Sequence, residues 1–463
     1  MNSIHLIAIG GTGMAPLACL LQAEGYQVSG SDGPLYPPMS TLLRDHGIAP
    51  LVGFEPAHLD PPPDLVIVGN AVPRTNPQAI EAERQGLPLV SMPEALATFF
   101  LGRRQPLVVA GTHGKTTTSS LAAYVYDACG RDPGYLIGGW PHDLDASFAR
   151  GSGTRFIVEG DEYNAAYFDR GPKFLHYRPQ TLILTGVEHD HVDLYPDPSS
   201  FRAAFAELVE LLPSNGLLVA DGDAEDVRSI ATRAKCPVLY YGMGADNDLK
   251  PIGAVDWGSG ATRFRVKNRD HGAVDVELGL AGEHNLRNAL AVWAVACHDG
   301  LPVESVQRAL RDFRGVRRRM EEVGSTGGAL LIDDFAHHPT EIEATLEALR
   351  QKYPGRRLIA IFEPRSLTAG RSFFFDAYLR AFAAADLVLL APIYHFDRLS
   401  AEERIDLDSL AEALEETGTK ATTAADIETL VERARVAIEP GDVVVTMSSG
   451  PFEDLPRRLA QAT

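Results

Sequence analysis

The sequence predicts an α/β fold built on parallel sheets and divided into three domains. Apolar, strand-like runs alternate with helix-like runs along the chain, an alternation that is typical of parallel sheets. The chain has 463 residues, which corresponds to about two to four domains of ordinary size. Two strand-like runs end in glycine-rich turns that lead into helices, one near residue 10 and one near residue 111. Turns of this kind are typical of sites that bind phosphate groups.

The composition is that of an ordinary globular protein, with 45% hydrophobic and 22% charged residues. A formal net charge of −20 argues against a general nucleic-acid-binding protein, because such proteins need clustered lysine and arginine. The apolar runs fall short of the roughly 18–20 residues that a membrane span needs, so we expect no membrane association. Because the net charge of the chain is negative, an anionic ligand must be bound by a locally built site of backbone N–H groups, metal ions and a few basic side chains.

The N-terminal stretch and the cysteines indicate a cytoplasmic protein. The stretch MNSIHLIAIGG lacks a basic region and a cleavage site, and it is predicted to be a first strand rather than a signal peptide. The cysteines at positions 19, 129, 236 and 297 are scattered and form no CxxC pair. We expect reduced thiols rather than a disulfide framework or a metal site.

Residues 1–101 are predicted to form the first domain. The run IHLIAIGG is a strand that breaks into glycines, MAPLACLLQAEG has helical spacing, and YQVSGSD is a second strand that ends at Asp32. This order is typical of a Rossmann-like domain, with Gly10 to Gly13 in the phosphate-binding turn and Asp32 near the expected ribose. Ala8 replaces the leading glycine of the standard pattern, so a tight turn without a ligand remains an alternative.

Residues 102–316 are predicted to form a central domain, entered through a hinge over residues 102–105. It opens with PLVVAGTHGKTTTSSLAA, a strand, a short loop and a helix. Gly114, Lys115 and Thr116 match the end of the P-loop pattern GxxxxGK[ST], in which backbone N–H groups and lysine hold phosphates and the hydroxyl binds Mg²⁺. The strict pattern fails, because its first glycine falls on Val109 and the chain has Gly111 instead. The strand before and the helix after still favour a P-loop ATPase-type domain with a parallel sheet.

Acidic residues and a histidine follow two further strands of this domain. Glu159 ends the strand in TRFIVEGDE, and His191 follows the strand in QTLILTGVEHDH. Ligands bind outside the carboxyl ends of the strands in an open parallel sheet. We therefore predict that Lys115, Thr116, Glu159 and His191 converge and hold one or two divalent ions. A lone histidine after a strand is more often structural or exposed, and that alternative applies to His189 as well.

Residues 317–463 are predicted to form a third domain, again Rossmann-like, from the strands in GALLIDDFA, RLIAIFEP, DLVLLAPI and DVVVTMSSG. Just before it, Asn285 and Asn288 lie three residues apart on a predicted helix, so both amides can face one ligand. The alternative is a helix cap and a helix–helix hydrogen bond. The arginines of RGVRRRME, Arg314 and Arg317 to Arg319, are either a solvated linker or a group that stabilises phosphate charge.

The stretch DDFAHHPTE places Asp333 and Asp334 at a strand end, with His337 and His338 after them. This pattern could suggest a metal site. Adjacent histidines point in different directions on most backbones, so we do not predict one there.

Taken in order, these motifs resemble the Mur ligase family, the ATP-dependent ligases that build the peptide of peptidoglycan. The resemblance is carried by GGTGM with VSGSD, GTHGKTTT, VEGDEY, HDHVDLYP, GEHNLRNA, RRRME and DDFAHHPTE, between residue 4 and about residue 342. It implies a UDP-sugar domain, a central ATPase domain and a C-terminal domain for the incoming amino acid or peptide. It also implies ATP and Mg²⁺, a cytoplasmic location and a monomer or weak homodimer.

Further stretches narrow the resemblance within the family. YPPMSTLLRDHGI, GNAVPRTNP, GYLIGGWP, DEYNAAYFD, KFLHYRPQTLIL and FEPRS are most similar to the branch that joins UDP-N-acetylmuramate to the recovered tripeptide L-alanyl-γ-D-glutamyl-meso-diaminopimelate. The alternative is the branch that adds L-alanine to the same sugar nucleotide, which shares GTHGKTTT and HHPTE. The implied partners are therefore UDP-N-acetylmuramate and a murein peptide.

The resemblance implies a role for each matching residue. Lys115, Glu159, His191 and Arg319 would be catalytic, and Thr116 and Glu159 would hold one Mg²⁺ while His191 holds a second. Arg365 is a candidate partner for a peptide carboxylate. The implied ATP contacts are Gly111, Thr112, His113, Gly114, Lys115, Thr116, Thr117, Asn285, Asn288, Arg319, Asp334 and His337. The implied UDP-sugar contacts are Gly10, Gly11, Thr12, Gly13, Met14, Asp32 and Asn70.

The implied reaction proceeds through an acyl phosphate. The chain departs from the family pattern in two places, which concern a lysine modification and the peptide specificity. Several Mur ligases carry a carbamylated lysine after the metal histidine, and that place is expected to hold Phe205, so we predict no carbamate. The segments at 138–148 and 447–456 look divergent, so peptide specificity could differ from the branch.

Two rival classes remain at this point. An NAD-dependent dehydrogenase would explain the first turn and Asp32 but would leave GKTTT, Glu159 and His191 unexplained. A nucleotide-binding regulator without activity is the other rival, and the intact Lys115, Thr116, Glu159 and His191 speak against it.

Overall fold

The structure is a computed structural model that describes residues 1–192, 194–258, 260–268 and 272–460. The chain forms two compact units. The first contains Met1–His189, Asp197–Lys250 and Leu290–Ala309, and the second contains Asp190–Pro196, Pro251–Ala289 and the chain from Leu310 onward.

The N-terminal part of the first unit is a five-stranded sheet in the order β3-β2-β1-β4-β5, and its strand pairs are parallel. The strands are apolar where they are central, as in the fully buried run LVIV of β4, because helices cover the faces of parallel sheets. The elements are β1 (Ser3–Ile7), α1 (Met14–Ala23), β2 (Gln27–Asp32), α2 (Met39–Asp45), β3 (Leu51–Val52), β4 (Leu65–Val68), α3 (Pro77–Gln85), β5 (Leu89–Ser91) and α4 (Met92–Leu96).

The turn between β1 and α1 contains a strained residue. Ala8 has a φ of 66°, in the left-handed region that costs an L-amino acid with a Cβ roughly 1–2 kcal/mol. This is the position at which the standard glycine pattern has its leading glycine. The turn therefore needs a left-handed backbone at this position, and here an alanine adopts it.

Replacing Ala8 by glycine is expected to stabilise the protein by about 0.5–1 kcal/mol, because relief of the left-handed strain outweighs the extra freedom of glycine in the unfolded chain. Equilibrium urea unfolding of the two proteins measures the difference. The matched control is Ala15→Gly inside α1, which should destabilise by about 0.5–1 kcal/mol. A lower free energy of unfolding for Ala8→Gly would contradict the strain argument.

The central part of the first unit is a seven-stranded sheet in the order β14-β13-β12-β6-β9-β7-β8. Its strand pairs are parallel except for the antiparallel pair of β7 and β8. The elements are β6 (Gln105–Ala110), α5 (Lys115–Ala128), β7 (Gly134–Leu136), β8 (Phe148–Ala149), β9 (Arg155–Gly160), the hairpin β10 (Asn164–Ala166) and β11 (Asp169–Pro172), β12 (Thr181–Leu184), α6 (Pro198–Glu210), β13 (Leu217–Asp221), α7 (Glu225–Ala231) and β14 (Val238–Tyr241).

The second unit contains two sheets. One is the antiparallel sheet of β15 (Asp256–Trp257), β16 (Thr262–Asn268) and β17 (Gly272–Leu278), followed by α8 (Glu283–His298) and α9 (Val303–Asp312), which both extend across the boundary between the units. The other has the order β18-β19-β23-β20-β21-β22, with β18 antiparallel and the rest parallel. Its elements are β18 (Glu321–Thr326), β19 (Ala329–Asp334), α10 (Pro339–Lys352), β20 (Leu358–Phe362), α11 (Phe375–Ala381), β21 (Leu387–Leu390), α12 (Leu407–Glu416), β22 (Lys420–Thr423), α13 (Ile427–Ala437), β23 (Val443–Met447) and α14 (Leu455–Ala460).

The predicted α/β class with parallel sheets is confirmed. The strands missing from the prediction are short or lie at sheet edges, where the apolar pattern is weak. The clearest case is β18, whose sequence EEVGST is mostly exposed. The domain limits at residues 101 and 316 stay a prediction. Within the part of the chain that the structure describes, none of the helices combines the length and the apolar character needed to cross a bilayer.

Candidate functional site

The glycine-rich loop of the central sheet connects β6 to α5. Gly111 has a φ of 136°, and a Cβ placed on it would lie 2.3 Å from the Thr185 hydroxyl oxygen and 2.8 Å from the Gly186 carbonyl oxygen. Gly114 has a φ of 78° and is the N-cap of α5. Both glycines are therefore required by the backbone. Val109 lies inside β6, paired with Glu159 of β9, so the loop is shorter than the strict P-loop pattern assumes.

The segment after β12 holds this loop in place. The Thr112 hydroxyl donates to the Glu188 carbonyl oxygen at 2.9 Å, and the Glu188 N–H donates back to that hydroxyl at 2.8 Å. The Thr185 hydroxyl donates to the His113 carbonyl oxygen at 2.5 Å. The His113 Nε2 lies 2.9 Å from a Glu188 carboxylate oxygen. The loop is thus fixed by side chains as well as by its own backbone, which is the preorganisation that phosphate binding requires.

Lys115, the first residue of α5, is folded back over the loop. Its Nζ donates to the Gly111 carbonyl oxygen at 2.6 Å and to the Thr112 carbonyl oxygen at 3.2 Å. It also donates to both carboxylate oxygens of Glu162, at 3.2 and 3.1 Å. The first N–H groups of a helix have no partner within the helix and favour an anion. A cation and a helix N-terminus therefore meet at this loop.

Glu159 lies beside the start of α5. The Thr116 hydroxyl donates to Glu159 Oε1 at 2.8 Å, and the Gly138 N–H donates to Glu159 Oε2 at 2.9 Å. Lys115, Thr116 and Glu159 thus come together at the carboxyl ends of β6 and β9. The predicted convergence is observed for these three residues.

The pKa values of Lys115 and Glu159 are both raised at this site. Burial alone would lower the pKa of Lys115, but nearby carboxylates, Glu162 first, outweigh it and raise that pKa. Burial, and then the neighbouring Asp161, raises the pKa of Glu159. A buried carboxylate with a raised pKa gains from a nearby cation. With the Thr116 hydroxyl it forms an all-oxygen donor set that suits Mg²⁺.

The first turn of the N-terminal sheet is organised by Asp32. One of its carboxylate oxygens accepts the Gly10 N–H at 2.7 Å and the other accepts the Gly33 N–H at 2.8 Å. The Asp32 carboxylate therefore stabilises the turn, and its predicted contact with a ribose stays a prediction. Gly11, Thr12 and Asn70 are exposed near the ends of β1 and β4, while Met14 is buried at the start of α1. The role of these residues toward a UDP-sugar also stays a prediction.

The two asparagines of α8 lie in the second unit, and their side chains bond to residues of the same stretch of chain. The Asn285 amide donates to the Ala281 carbonyl oxygen at 2.8 Å, and the Asn288 amide donates to Asn285 Oδ1 at 3.5 Å. Both side chains are buried. These contacts join residues three and four positions apart, and they are neither a helix cap nor a helix–helix hydrogen bond. The adenine contact of the pair stays a prediction.

Arg319 and Asp334 also lie in the second unit. The Asp334 carboxylate accepts the Met320 N–H at 2.6 Å and the Ala336 N–H at 2.7 Å. Burial raises the pKa of Asp334 to about 6, against the opposing charge of Arg319. The Arg319 guanidinium lies 4.8 Å from the centre of the Phe335 ring, so it is packed against the protein and is not part of a solvated linker.

His337, His338 and His191 lie in this unit, and against the effect of burial the charges of all three lower the pKa of Asp190. His337 Nδ1 lies 3.3 Å from a Glu341 carboxylate oxygen, whereas His338 Nδ1 accepts the Thr340 N–H and caps α10. The two neighbouring rings thus take different partners. His191 has a φ of 53° and its Nδ1 lies 3.7 Å from Asp190 Oδ1. Its predicted convergence with the residues of the first unit stays a prediction.

Arg365 follows β20. Its guanidinium carbon lies 3.6 Å from the centre of the Tyr394 ring, and its Nη1 lies 3.3 Å from Glu363 Oε2. The Ser448 hydroxyl donates to the same Glu363 oxygen at 2.6 Å. A Cβ on Gly450 would lie 1.9 Å from Arg365 Nε. The divergent segment 447–456 therefore shapes the surroundings of Arg365, just as Gly138 of the divergent segment 138–148 contacts Glu159.

Two of these residues, Glu162 and Thr185, were not predicted from the sequence. They lie in loops just after strands, where strand alternation no longer determines which way a side chain points. The only signal for Glu162 was its place three residues after Glu159.

Phe205 is fully buried in α6, with the rings of Phe174 and Phe201 at 5.2 and 5.1 Å.

Three family models match the chain in order. The one described as Mur ligase family, catalytic domain, matches residues 3–104. The Mur ligase middle domain matches residues 109–296, and the Mur ligase, glutamate ligase domain, matches residues 318–450.

Full-length relatives fall into two groups by name. The UDP-N-acetylmuramate–L-alanyl-γ-D-glutamyl-meso-2,6-diaminoheptandioate ligase of Escherichia coli K12 is 37% identical over 463 residues, which cover 98% of this chain and 97% of that protein. The UDP-N-acetylmuramate–L-alanine ligase of Acidithiobacillus ferrooxidans is 36% identical, over 100% of this chain and 98% of that protein. The crystal structure of a murein peptide ligase from Psychrobacter arcticus superposes with a TM-score of 0.73 and 32% identity, covering 100% of this chain and 98% of that one.

Proposed function

The chain belongs to the Mur ligase family, and on that premise we propose that it joins UDP-N-acetylmuramate to the tripeptide L-alanyl-γ-D-glutamyl-meso-diaminopimelate. Mur ligases are ATP-dependent enzymes that form C–N bonds, and the chain is such a ligase. The names of the Escherichia coli and Psychrobacter arcticus relatives support the choice of a peptide as the second substrate. A recovered tripeptide as substrate places the reaction in peptidoglycan recycling, in the cytoplasm.

The site formed by Lys115, Thr116 and Glu159 is the observation that carries the ATP-dependent part of this proposal. It combines a helix N-terminus, a partly buried ammonium group and a partly buried carboxylate that accepts a hydrogen bond from a hydroxyl. This is the arrangement that a nucleotide triphosphate with Mg²⁺ requires. Thr116 and Glu159 would hold one ion, and His191 is the proposed ligand of a second. Bound Mg²⁺ would supply positive charge to the phosphate oxygens.

The proposed reaction has two steps. The carboxylate of UDP-N-acetylmuramate attacks the γ-phosphorus of ATP, which forms an acyl phosphate and releases ADP. The amine of the peptide then attacks the acyl carbon, and inorganic phosphate leaves. Both groups in the first step are anionic, so their repulsion has to be offset. Lys115 offsets it with a fixed positive charge at the loop, and Arg319 is proposed to do the same on the ATP phosphate.

The same proposal assigns the remaining substrates to named residues. Gly10 to Met14 would bind the UDP pyrophosphate, with Asp32 and Asn70 near the ribose or uracil. Asp334 would contact the ATP ribose, and His337 the adenine region. Arg365, whose guanidinium is stacked on the half-exposed ring of Tyr394, would bind a carboxylate of the peptide.

The alternative second substrate is L-alanine. It is favoured by the name of the Acidithiobacillus ferrooxidans relative, which is 36% identical over the whole chain. The two proposals share the sugar nucleotide, ATP and the acyl phosphate. They differ only in the amine that completes the reaction, so a single assay separates them.

The test is phosphate release from Mg-ATP with UDP-N-acetylmuramate and either the tripeptide or L-alanine. We expect turnover with the tripeptide and little with L-alanine. Turnover with L-alanine alone would refute the peptide assignment and support the alternative. Absence of phosphate release with both amines would refute both. The Lys115→Ala variant, purified identically, serves as the control for contaminating phosphatases.

A further inference from the structure

The side chain of Glu162 is 1% exposed and forms an ion pair with Lys115. Each of its two carboxylate oxygens lies within 3.2 Å of Lys115 Nζ. Lys115 itself is 13% exposed and makes its other two contacts with the carbonyl oxygens of its own loop, Gly111 and Thr112. The ammonium group is thus surrounded by four oxygen acceptors that belong to the protein.

From this contact we infer that Glu162 is a positioning residue that occupies Lys115 until the phosphates of ATP replace it. The inference rests on the proposed nucleotide site. Glu162 offers Lys115 two anionic oxygens at hydrogen-bonding distance, which is what a phosphate group offers as well. Lys115 cannot donate fully to the Glu162 carboxylate and to a phosphate group at the same time, so Glu162 competes directly with the nucleotide for Lys115.

The burial of the pair determines the size and sign of the effect. Breaking a buried ion pair by removing one partner leaves an uncompensated charge, which is strongly unfavourable. When a phosphate takes Lys115, the displaced Glu162 carboxylate is also left beside a new anion. ATP therefore binds more weakly than the loop alone would allow. The same contact stabilises the protein without nucleotide and keeps Lys115 charged.

A second carboxylate provides a matched control for this contact. Asp161 is adjacent to Glu162 and contributes to the electric field at Lys115, but its carboxylate pairs with Lys173 at 3.2 Å. Asp161→Asn removes a neighbouring negative charge and leaves the contact between Glu162 and Lys115 in place. It separates the direct contact from the general field of nearby acids.

The experiment compares wild type, Glu162→Gln and Asp161→Asn in two measurements. The first is the affinity for Mg-AMP-PNP by calorimetry, and the second is the thermal midpoint with and without that nucleotide. For Glu162→Gln we expect about tenfold tighter binding, a lower midpoint without nucleotide and a larger increase on adding it. For Asp161→Asn we expect a change in affinity of less than about threefold.

The outcomes distinguish this inference from the proposed function. Failure of wild type to bind Mg-AMP-PNP would refute the nucleotide site. Binding by wild type, with equal or weaker binding by Glu162→Gln, would overturn the inference and leave the site intact. A fall in midpoint that is the same with and without nucleotide would indicate a merely structural role and would also overturn it.

A double variant covers the case in which Glu162→Gln does not fold. Lys115→Met takes the ammonium group away from the buried Glu162 carboxylate, and adding Glu162→Gln removes that negative charge. We expect the double variant to melt above Lys115→Met. An equal or lower midpoint for the double variant would overturn the inference. It would mean that the Glu162 charge does not depend on the Lys115 ammonium group for its stability.

Discussion

Replacing Lys115 by alanine is expected to lower the rate of ATP-dependent turnover by about 10³-fold or more, because it removes the positive charge that offsets the repulsion between two anionic reactants. The ammonium group lies at the loop itself, 2.6 Å from the Gly111 carbonyl oxygen. Steady-state phosphate release measures the loss.

The binding of UDP-N-acetylmuramate should be unchanged in Lys115→Ala, since that ligand is assigned to the turn at Gly10 to Gly13. Calorimetry with the sugar nucleotide alone checks this. Lys235→Ala, at an exposed position in the same unit, is the control for loss of a lysine. Wild-type turnover by Lys115→Ala would refute the role of the loop, and loss of sugar-nucleotide binding would point to general disruption.

Replacing Glu159 by glutamine is expected to reduce kcat/KM by about 10²-fold and to raise the Mg²⁺ concentration needed for half-maximal activity. Glutamine keeps the shape, and its one carbonyl oxygen can accept the Gly138 N–H while its NH₂ group donates to the Thr116 hydroxyl oxygen, but it carries no charge for the ion. The titration of activity with Mg²⁺ at saturating ATP is the measurement.

The loss caused by Glu159→Gln should be partly restored at high Mg²⁺, since a weakened metal site is filled by mass action. Glu83→Gln is the matched control, because Glu83 lies in the same unit and accepts from the Tyr167 hydroxyl at 2.7 Å. An unchanged Mg²⁺ requirement in Glu159→Gln would show that this carboxylate does not hold the ion.

Strand order allowed part of the site to be predicted from the sequence. Lys115 and Thr116 follow one apolar strand and Glu159 ends another, and parallel neighbours bring their carboxyl ends to the same edge of a sheet. The observed pairing of Val109 with Glu159 satisfies that expectation. The family resemblance is confirmed by the three family models that match the chain in order.

The remaining features of the site depend on loop conformation. Glu162 reaches Lys115 only because the chain turns after β9, and the bonds between Thr112 and Glu188 join residues that are 76 positions apart. Periodicity in the sequence carries no information on either contact. Asp32 ends β2 as predicted, and its observed partners are the N–H groups of the turn. β18 and β22 are edge strands, and their weak apolar pattern hid them.

The close approach of Gly111 to Thr185 and Gly186 has a consequence for protein engineering. Two stretches of chain, one after β6 and one after β12, fit against each other with no room for a side chain on Gly111. The two stretches therefore have to be exchanged together. A chimera that exchanges GTHG between relatives should retain its loop only if residues 185–188 come from the same parent, so recombination breakpoints belong outside both stretches.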